Sequence, residues 1–334
     1  MEIKADFYSD FMKLSLDMIA VIKKQGFRFE EYEDWKKRES KTNTAILSAK
    51  KSSIEETALI SAYEKALVSD FANWKERIPD PVPRIIYKCS GFSCPKQYQE
   101  GLAQLERTIK NGDNLMPYLS RDIYDARKND RMLFILGITH FHLGTKQDGK
   151  KPLLIKGTED ILYAFLQKQD CYFIKIDKHG LWDDENLLRL VNSDFPDVLK
   201  PWKLKDVTPG GLSDNDRKIL RSKNVITLIT INNDVYMPPG WGTSTAGTSV
   251  KATFDLVGYI HYLDILEKKL ILQLNEQKEK IEKDYGLTIE RMDLFLYQTD
   301  PVKIFDKKNS LSIVINSFDG NNLSIKIRKY TSVS

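Results

Sequence analysis

The chain has 334 residues, 41% of them hydrophobic, and its 51 lysines and arginines against 47 aspartates and glutamates leave a net charge of +4. Disorder needs low hydrophobicity together with high net charge, so a disordered chain is excluded, and the small net charge provides no global field to attract a nucleic acid. Three cysteines exclude a disulfide-built scaffold, and the length points to more than one domain.

The opening stretch, residues 1–20, places Glu2, Asp6, Asp10 and Asp17 among its apolar positions. A secretory signal needs an unbroken apolar stretch of roughly 7–15 residues, which is missing here. Ile3, Phe7, Phe11, Leu14, Met18 and Val21 instead recur at helical spacing. No run approaches the roughly 18 apolar residues that span a bilayer. These features predict a cytoplasmic protein with no membrane partner, whose Cys89, Cys94 and Cys171 are ordinary thiols. Helical spacing resumes from Ile46 to Phe71, with Ser53 and Glu56 offering a capping box, and Pro79, Pro81 and Pro83 then stop any helix. Residues 1–83 are therefore predicted to form a helical N-terminal domain.

Residues 84–205 read as an α+β module. A strand is predicted at 84–89 and a helix from Pro95 to about Lys110, ended by Asn111-Gly112-Asp113. Short strands follow at 137–145 (GITHFHLGT), 151–157 (KPLLIKG), 164–169 (AFLQKQ) and 171–177 (CYFIKID), forming a small, mainly antiparallel sheet. A helix within 183–196 stops at Pro196.

Residues 206–334 read as a second α+β module. It contains a short helix in 213–224, a hairpin turning at Asn232-Asn233-Asp234, and a glycine-rich segment at 238–249. A long helix follows over 250–285, stopped by Gly286, and strands are predicted around 295–298, 310–318 and 322–330. The fold class is α+β.

Chemistry concentrates in three places. The chain has four histidines, and two of them sit in His140-Phe141-His142. Residues i and i+2 of a strand share a face, so His140 and His142 project side by side with Phe141 and Leu143 behind them. His179 ends a neighbouring strand, and Lys146 and Lys156 lie near the same rim. Imidazole changes charge near neutral pH, which suits acid/base cleavage of a phosphodiester without a metal. In that reading His140 and His142 are the acid/base pair, His179 an auxiliary and Lys156 an anion stabiliser. Alternatively His140, His142 and His179 hold zinc, manganese or iron, with Asp148, Asp177 or Glu159 completing the ligands. His261 falls within the long helix and reads as structural.

The second place is Pro238–Ser249, where Gly240, Gly242 and Gly247 allow close backbone approach and Thr243, Thr248 and Ser249 carry hydroxyls before a helix. That suits a phosphate, although the segment has no Gly-Lys-Ser/Thr, no dinucleotide fingerprint and no nucleophile elbow. The third is the carboxyl end. Residues 303–329 hold six basic side chains against two acidic ones, an excess equal to the whole net charge. Lys326 and Arg328 share a strand face that is suited to a phosphate backbone or, alternatively, to protecting a sheet edge. Trp182, Trp202 and Trp241 could stack bases. Arg121, Arg127 and Arg131 are interleaved with Asp122, Asp125 and Asp130, as in a salt-bridged turn.

At the level of architecture, helices feeding a small antiparallel sheet with a His/Lys/Arg rim resemble the metal-independent RNase toxins of bacteria, though no defining motif of theirs occurs here. The expectation is a protein that binds RNA or another phosphate-bearing ligand and cleaves it, as a toxin or in phage defence. The competing readings are a three-histidine metalloenzyme and a non-catalytic protein that self-assembles or captures a partner through the glycine-rich loop and the long helix.

Overall fold

A computed structural model describes residues 1–41 and 53–330, with the side chains of 53–55 excepted. The predicted capping box at Ser53 and the start of the helical stripe at Ile46 lie outside the described side chains. The elements begin with β1 (Glu2–Lys4), α1 (Phe7–Lys24), α2 (Tyr32–Glu39) and α3 (Ser53–Glu76). Next come β2 (Ile85–Lys88), α4 (Gln99–Asn111), β3 (Ile138–His142), β4 (Asp160–Leu166) and β5 (Asp170–Lys178). Then follow α5 (Asn186–Asp194), α6 (Pro196–Leu199), α7 (Asp214–Ser222), β6 (Ile229–Ile231), β7 (Asp234–Tyr236), α8 (Val250–Glu276) and α9 (Lys278–Tyr285). The chain closes with β8 (Arg291–Thr299), β9 (Val302–Asp306), β10 (Leu311–Phe318) and β11 (Leu323–Lys329). The fold is α+β.

Two compact units are built from discontinuous stretches, unlike three consecutive segments: Met1–Gly26, Glu30–Phe71 and Phe254–Ser334 form one, and Phe27–Phe29 with Ala72–Thr253 the other. In the first unit a five-stranded sheet runs in the order β1-β8-β9-β10-β11, with β1 parallel to β8 and the other pairs antiparallel. Strand alternation sends Met292, Leu294, Ile304, Leu311 and Ile313 inward, where they pack with Phe7 of α1 and with Leu263, Leu266, Leu270 and Leu274 of α8. Two details differ from the sequence reading. Ile3 joins β1 instead of α1, so the helix starts at Phe7 behind an Asp6 cap, and it buries Ile19 and Ile22 while Met18 and Val21 stay half exposed. The 250–285 helix breaks at Gln277 into α8 and α9, and the chain leaves α9 through Gly286 at a left-handed φ of 61°.

The second unit holds a four-stranded sheet in the order β2-β5-β4-β3, with β2 parallel to β5 and the rest antiparallel. Its core joins Ile138, Ile161, Tyr163, Phe165 and Ile174 of the sheet with Leu187, Leu188 and Val191 of α5. The KPLLIKG stretch forms no strand, because only Ile155 makes an isolated bridge, to Gln147. Pro196 opens α6 as well as closing α5, since a proline costs nothing at the first helical position. Between β6 and β7, Asn232 and Asn233 take φ of 49° and 65°, as a tight two-residue hairpin turn requires. All three cysteines are free thiols. Among the described residues no helix is long and apolar enough to cross a membrane.

Candidate functional site

The site grows from the edge strand β3. Before it, Met132–Leu136 form a single π-helical turn that ends at Gly137 with φ 69°. Wide turns of this kind leave backbone carbonyls that a regular helix would have used. The glycine-rich segment satisfies them: the Gly240 amide donates to Ile135 O at 3.2 Å and the Gly242 amide to Phe134 O at 2.6 Å. A Cβ on Gly240 would lie 2.0 Å from Leu133 O, so glycine is required there. The rest of the segment is tied internally. Thr243 bridges Ser249, Ser244 Oγ lies 2.8 Å from Thr248 Oγ1, and Ser249 Oγ accepts from the Ala252 amide to cap α8. Gly247 is buried at φ 82°. Gly240 and Gly242 thus buttress the turn before β3, the hydroxyls are engaged within the segment or at the start of α8, and the segment contributes no residue to the cavity beside His140. Gly240→Ala is expected to cost about 1–3 kcal/mol through overpacking. Urea denaturation would read that loss beside Gly149→Ala, a glycine with open space around it, which should cost nothing comparable.

The three clustered histidines do meet. The His142 and His179 ring centroids are 5.2 Å apart, and those of His140 and His179 are 6.3 Å apart. Trp182 packs on two of them, 5.2 Å from the His140 ring and 5.8 Å from that of His179. The pairing explains why: β3 lies against β4, β4 against β5, and His179 follows the end of β5. His142 is a held ring, its Nδ1 accepting from the Thr158 amide at 3.0 Å. His179 is exposed, and its Nε2 lies 3.3 Å from Thr158 O. His140 is buried, and neither of its ring nitrogens has a hydrogen-bond partner.

Burial sets the protonation states. It pushes the His140 imidazole below the usual histidine range, opposed by the nearby Asp130 and Asp122 carboxylates and reinforced by His179. His142 is pushed down to about 4, by burial first and then by its neighbours His140 and His179. Both rings are therefore neutral at pH 7. The unfolded chain takes up a proton near pH 6.5, whereas folded His142 does so only near 4, so stability present at neutral pH is lost as the pH falls between those values. The expected loss from this group is roughly 3 kcal/mol. Urea midpoints at pH 7, 5.5 and 4 for the parent and His142→Gln would test this, and equal acid sensitivity in both would refute it.

Beside His140 lies a cavity of about 290 Å³, lined by Arg77, Ser120, Asn129, Arg131, His140 and Trp182 among others. Arg77 is buried and donates to the carbonyl oxygens of Asp122 at 3.1 Å and Asp125 at 2.5 Å, and its Nε lacks a partner. Asn129 Oδ1 is likewise buried and unpartnered. Lys128 and Asp122 also line the cavity and pair at 3.2 Å, while Arg131 lies 3.6 Å from Asp183.

Other predicted residues fall elsewhere. Lys156 is exposed and is not part of the lining, and the cations there are Arg77, Lys128 and Arg131. Arg121 pairs with Asp148 at 2.6 Å, Asp177 with Lys175 at 2.6 Å and Glu159 with Lys178 at 3.3 Å, which occupies the carboxylates considered as metal ligands. Among the described residues no group of three or more His, Cys, Asp or Glu is arranged to hold a metal ion. His261 is exposed on α8, and Lys326 and Arg328 lie on β11 of the first unit. Sequence reasoning missed Arg77, which sits just beyond α3 with only carbonyl partners to mark it. Compared with protein-family models, with curated proteins and with solved structures, the chain matches none.

Proposed function

We propose that this cavity binds a nucleotide unit of single-stranded RNA and that the protein cleaves the adjoining phosphodiester without a metal. The observation that carries the reading is that one cavity is lined by three residues with unpartnered buried polar atoms: His140 at both ring nitrogens, Arg77 at Nε and Asn129 at Oδ1. Buried polar groups are nearly always hydrogen-bonded, so a cluster of exceptions calls for a polar ligand. Arg77 supplies a charge held by carbonyl oxygens, with the Asp122 and Asp130 carboxylates also lining the cavity and acting on it. Trp182 supplies a ring for stacking, and the volume suits one nucleotide.

The chemistry needs no enzyme nucleophile. The ribose 2′-hydroxyl attacks the neighbouring phosphorus, the bond to the 5′-oxygen breaks, and a 2′,3′-cyclic phosphate and a 5′-hydroxyl result. His140, neutral because it is buried, takes the 2′-hydroxyl proton. His142 is too weak a base to be carried protonated at pH 7, so the acid role is assigned to His179. That ring stands outside the cavity lining, its centroid 6.3 Å from that of His140, and gives a proton to the leaving oxygen. Arg77 and Arg131 replace Lys156 as the cations facing the charge on phosphorus. Incubating the purified chain with single-stranded RNA in EDTA tests the reading: cyclic-phosphate and 5′-hydroxyl ends are expected, and intact RNA overturns it.

A further inference from the structure

In the first unit, the outer face of the five-stranded sheet carries aromatic and basic side chains together, and we propose that it is a second, non-catalytic binding surface for single-stranded RNA. The choice of RNA as occupant rests on the function proposed above, while the surface itself stands on separate observations.

Strand pairing makes the face. Phe295 of β8 opposes Phe305 of β9, Phe305 opposes Ser312 of β10, and Ser312 opposes Arg328 of β11, forming one row across four strands. The next row sets Lys303 opposite Val314, and Val314 opposite Lys326. Because the side chains at even spacing on these strands fill the core, this row set must point away from it. Phe295 and Phe305 are half-buried, and Tyr297 and Tyr330 are 41% and 53% exposed. Apolar rings at such positions are normally covered in a sheet with a single buried face.

The rings share one face, and two of them are in contact. Tyr330 packs on Phe305 with centroids 4.8 Å apart, and its amide donates to Ser310 O at 2.7 Å, which anchors it beyond the end of β11. Tyr297 reaches across β9 to place its hydroxyl 3.3 Å from Ser312 Oγ. Lys307 Nζ sits 4.1 Å over the Phe295 ring. The carboxylates on this side are already matched, Asp293 to Arg291 at 2.7 Å and Glu2 to Lys4 at 3.8 Å. Asp306 is fully buried on the opposite side. Asp10, bonded to the Leu296 amide at 2.9 Å, acts on Lys307, which leaves Lys303, Lys326 and Arg328 as surplus positive charge around the aromatic rings.

Charge complementarity with interleaved rings selects the occupant. Bases of a single strand stack on exposed aromatics of a sheet while phosphates meet flanking cations, whereas a duplex hides its base faces. A purely protective role for Lys326 and Arg328 at the edge strand would account for those two charges and for none of the rings.

The experiment uses the full chain carrying His140→Ala, so that binding is read without cleavage, with a labelled twelve-nucleotide oligo-uridylate followed by fluorescence anisotropy. Lys326→Glu with Arg328→Glu is expected to weaken binding at least tenfold and to flatten its dependence on salt. Tyr297→Ala and Tyr330→Ala, both at exposed positions, are each expected to weaken it about tenfold. Duplex RNA should bind more weakly than the single strand. Unchanged affinity in the charge-reversed and tyrosine variants overturns the surface, and tighter binding of duplex RNA or of the matching DNA strand overturns the occupant. If the parent chain leaves RNA intact while these variants still lose binding, the cleavage reading fails and the binding surface stands.

Discussion

Replacing His140 with alanine should lower RNA cleavage in EDTA by two to four orders of magnitude, the usual contribution of a positioned acid/base group. The side chain is 8% exposed and its ring nitrogens make no hydrogen bond, so the substitution breaks no polar contact and the fold should survive. An unchanged far-ultraviolet circular dichroism spectrum and urea midpoint would confirm that survival. The pH dependence gives a separate readout. Because burial holds His140 below the usual histidine range, the base stays available into mildly acidic solution, and activity should fall only at a pH below the ordinary imidazole value. Full activity in the folded variant would remove His140 from the chemistry, and with it the assignment of the cavity as a catalytic centre.

Glu185→Gln should cost about 3–5 kcal/mol of unfolding free energy, since it leaves the buried Arg221 guanidinium without a carboxylate and Arg217 with Asp214 alone. Glu185 is 3% exposed and stands just before α5. It accepts from Arg217 Nε at 2.8 Å and Nη2 at 3.0 Å, and Arg221 Nη2 lies 2.8 Å from it. Arg217 and Arg221 are 5% and 1% exposed, and Arg221 finds otherwise only Thr227 Oγ1, at 2.8 Å. Glu185 is thus the buried anion of the network, joined also by Arg189 at 3.4 Å. Although Arg217 pairs with the exposed Asp214 as well, Arg221 has no second carboxylate among the described residues, so removing the Glu185 charge cannot be compensated by water. Urea denaturation at pH 7 measures the effect. A cost below about 1 kcal/mol would mean that the network relaxes and hydrates on opening, contrary to the burial of all three groups.

Much of the local structure was legible because it depends on neighbours in sequence. Gly112 and Gly286 end helices and Asn232-Asn233 turns a hairpin, each through bonds within a few residues. The i, i+2 spacing of His140 and His142 likewise fixed a shared strand face. Where registration against distant partners decides, the sequence was ambiguous. Ile3 could extend a helix or pair with Met292, and Val302–Asp306 was too short to be read as a strand until β8 and β10 flanked it.

By itself, the sequence determined an α+β chain, its principal helices and hairpins, and the histidine-bearing strand. Only the tertiary structure decided what those histidines face. Burial depends on the whole packed sheet, and it lowered His140 and His142 in a way no spacing encodes. It also moved the glycine-rich segment from a phosphate candidate to the support of a π-turn, because Leu133, Phe134 and Ile135 lie more than a hundred residues away along the chain yet touch Gly240 and Gly242. Lastly, it joined Phe305, Tyr330, Lys326 and Arg328 on one face, since cross-strand pairing is what places residues distant in sequence side by side.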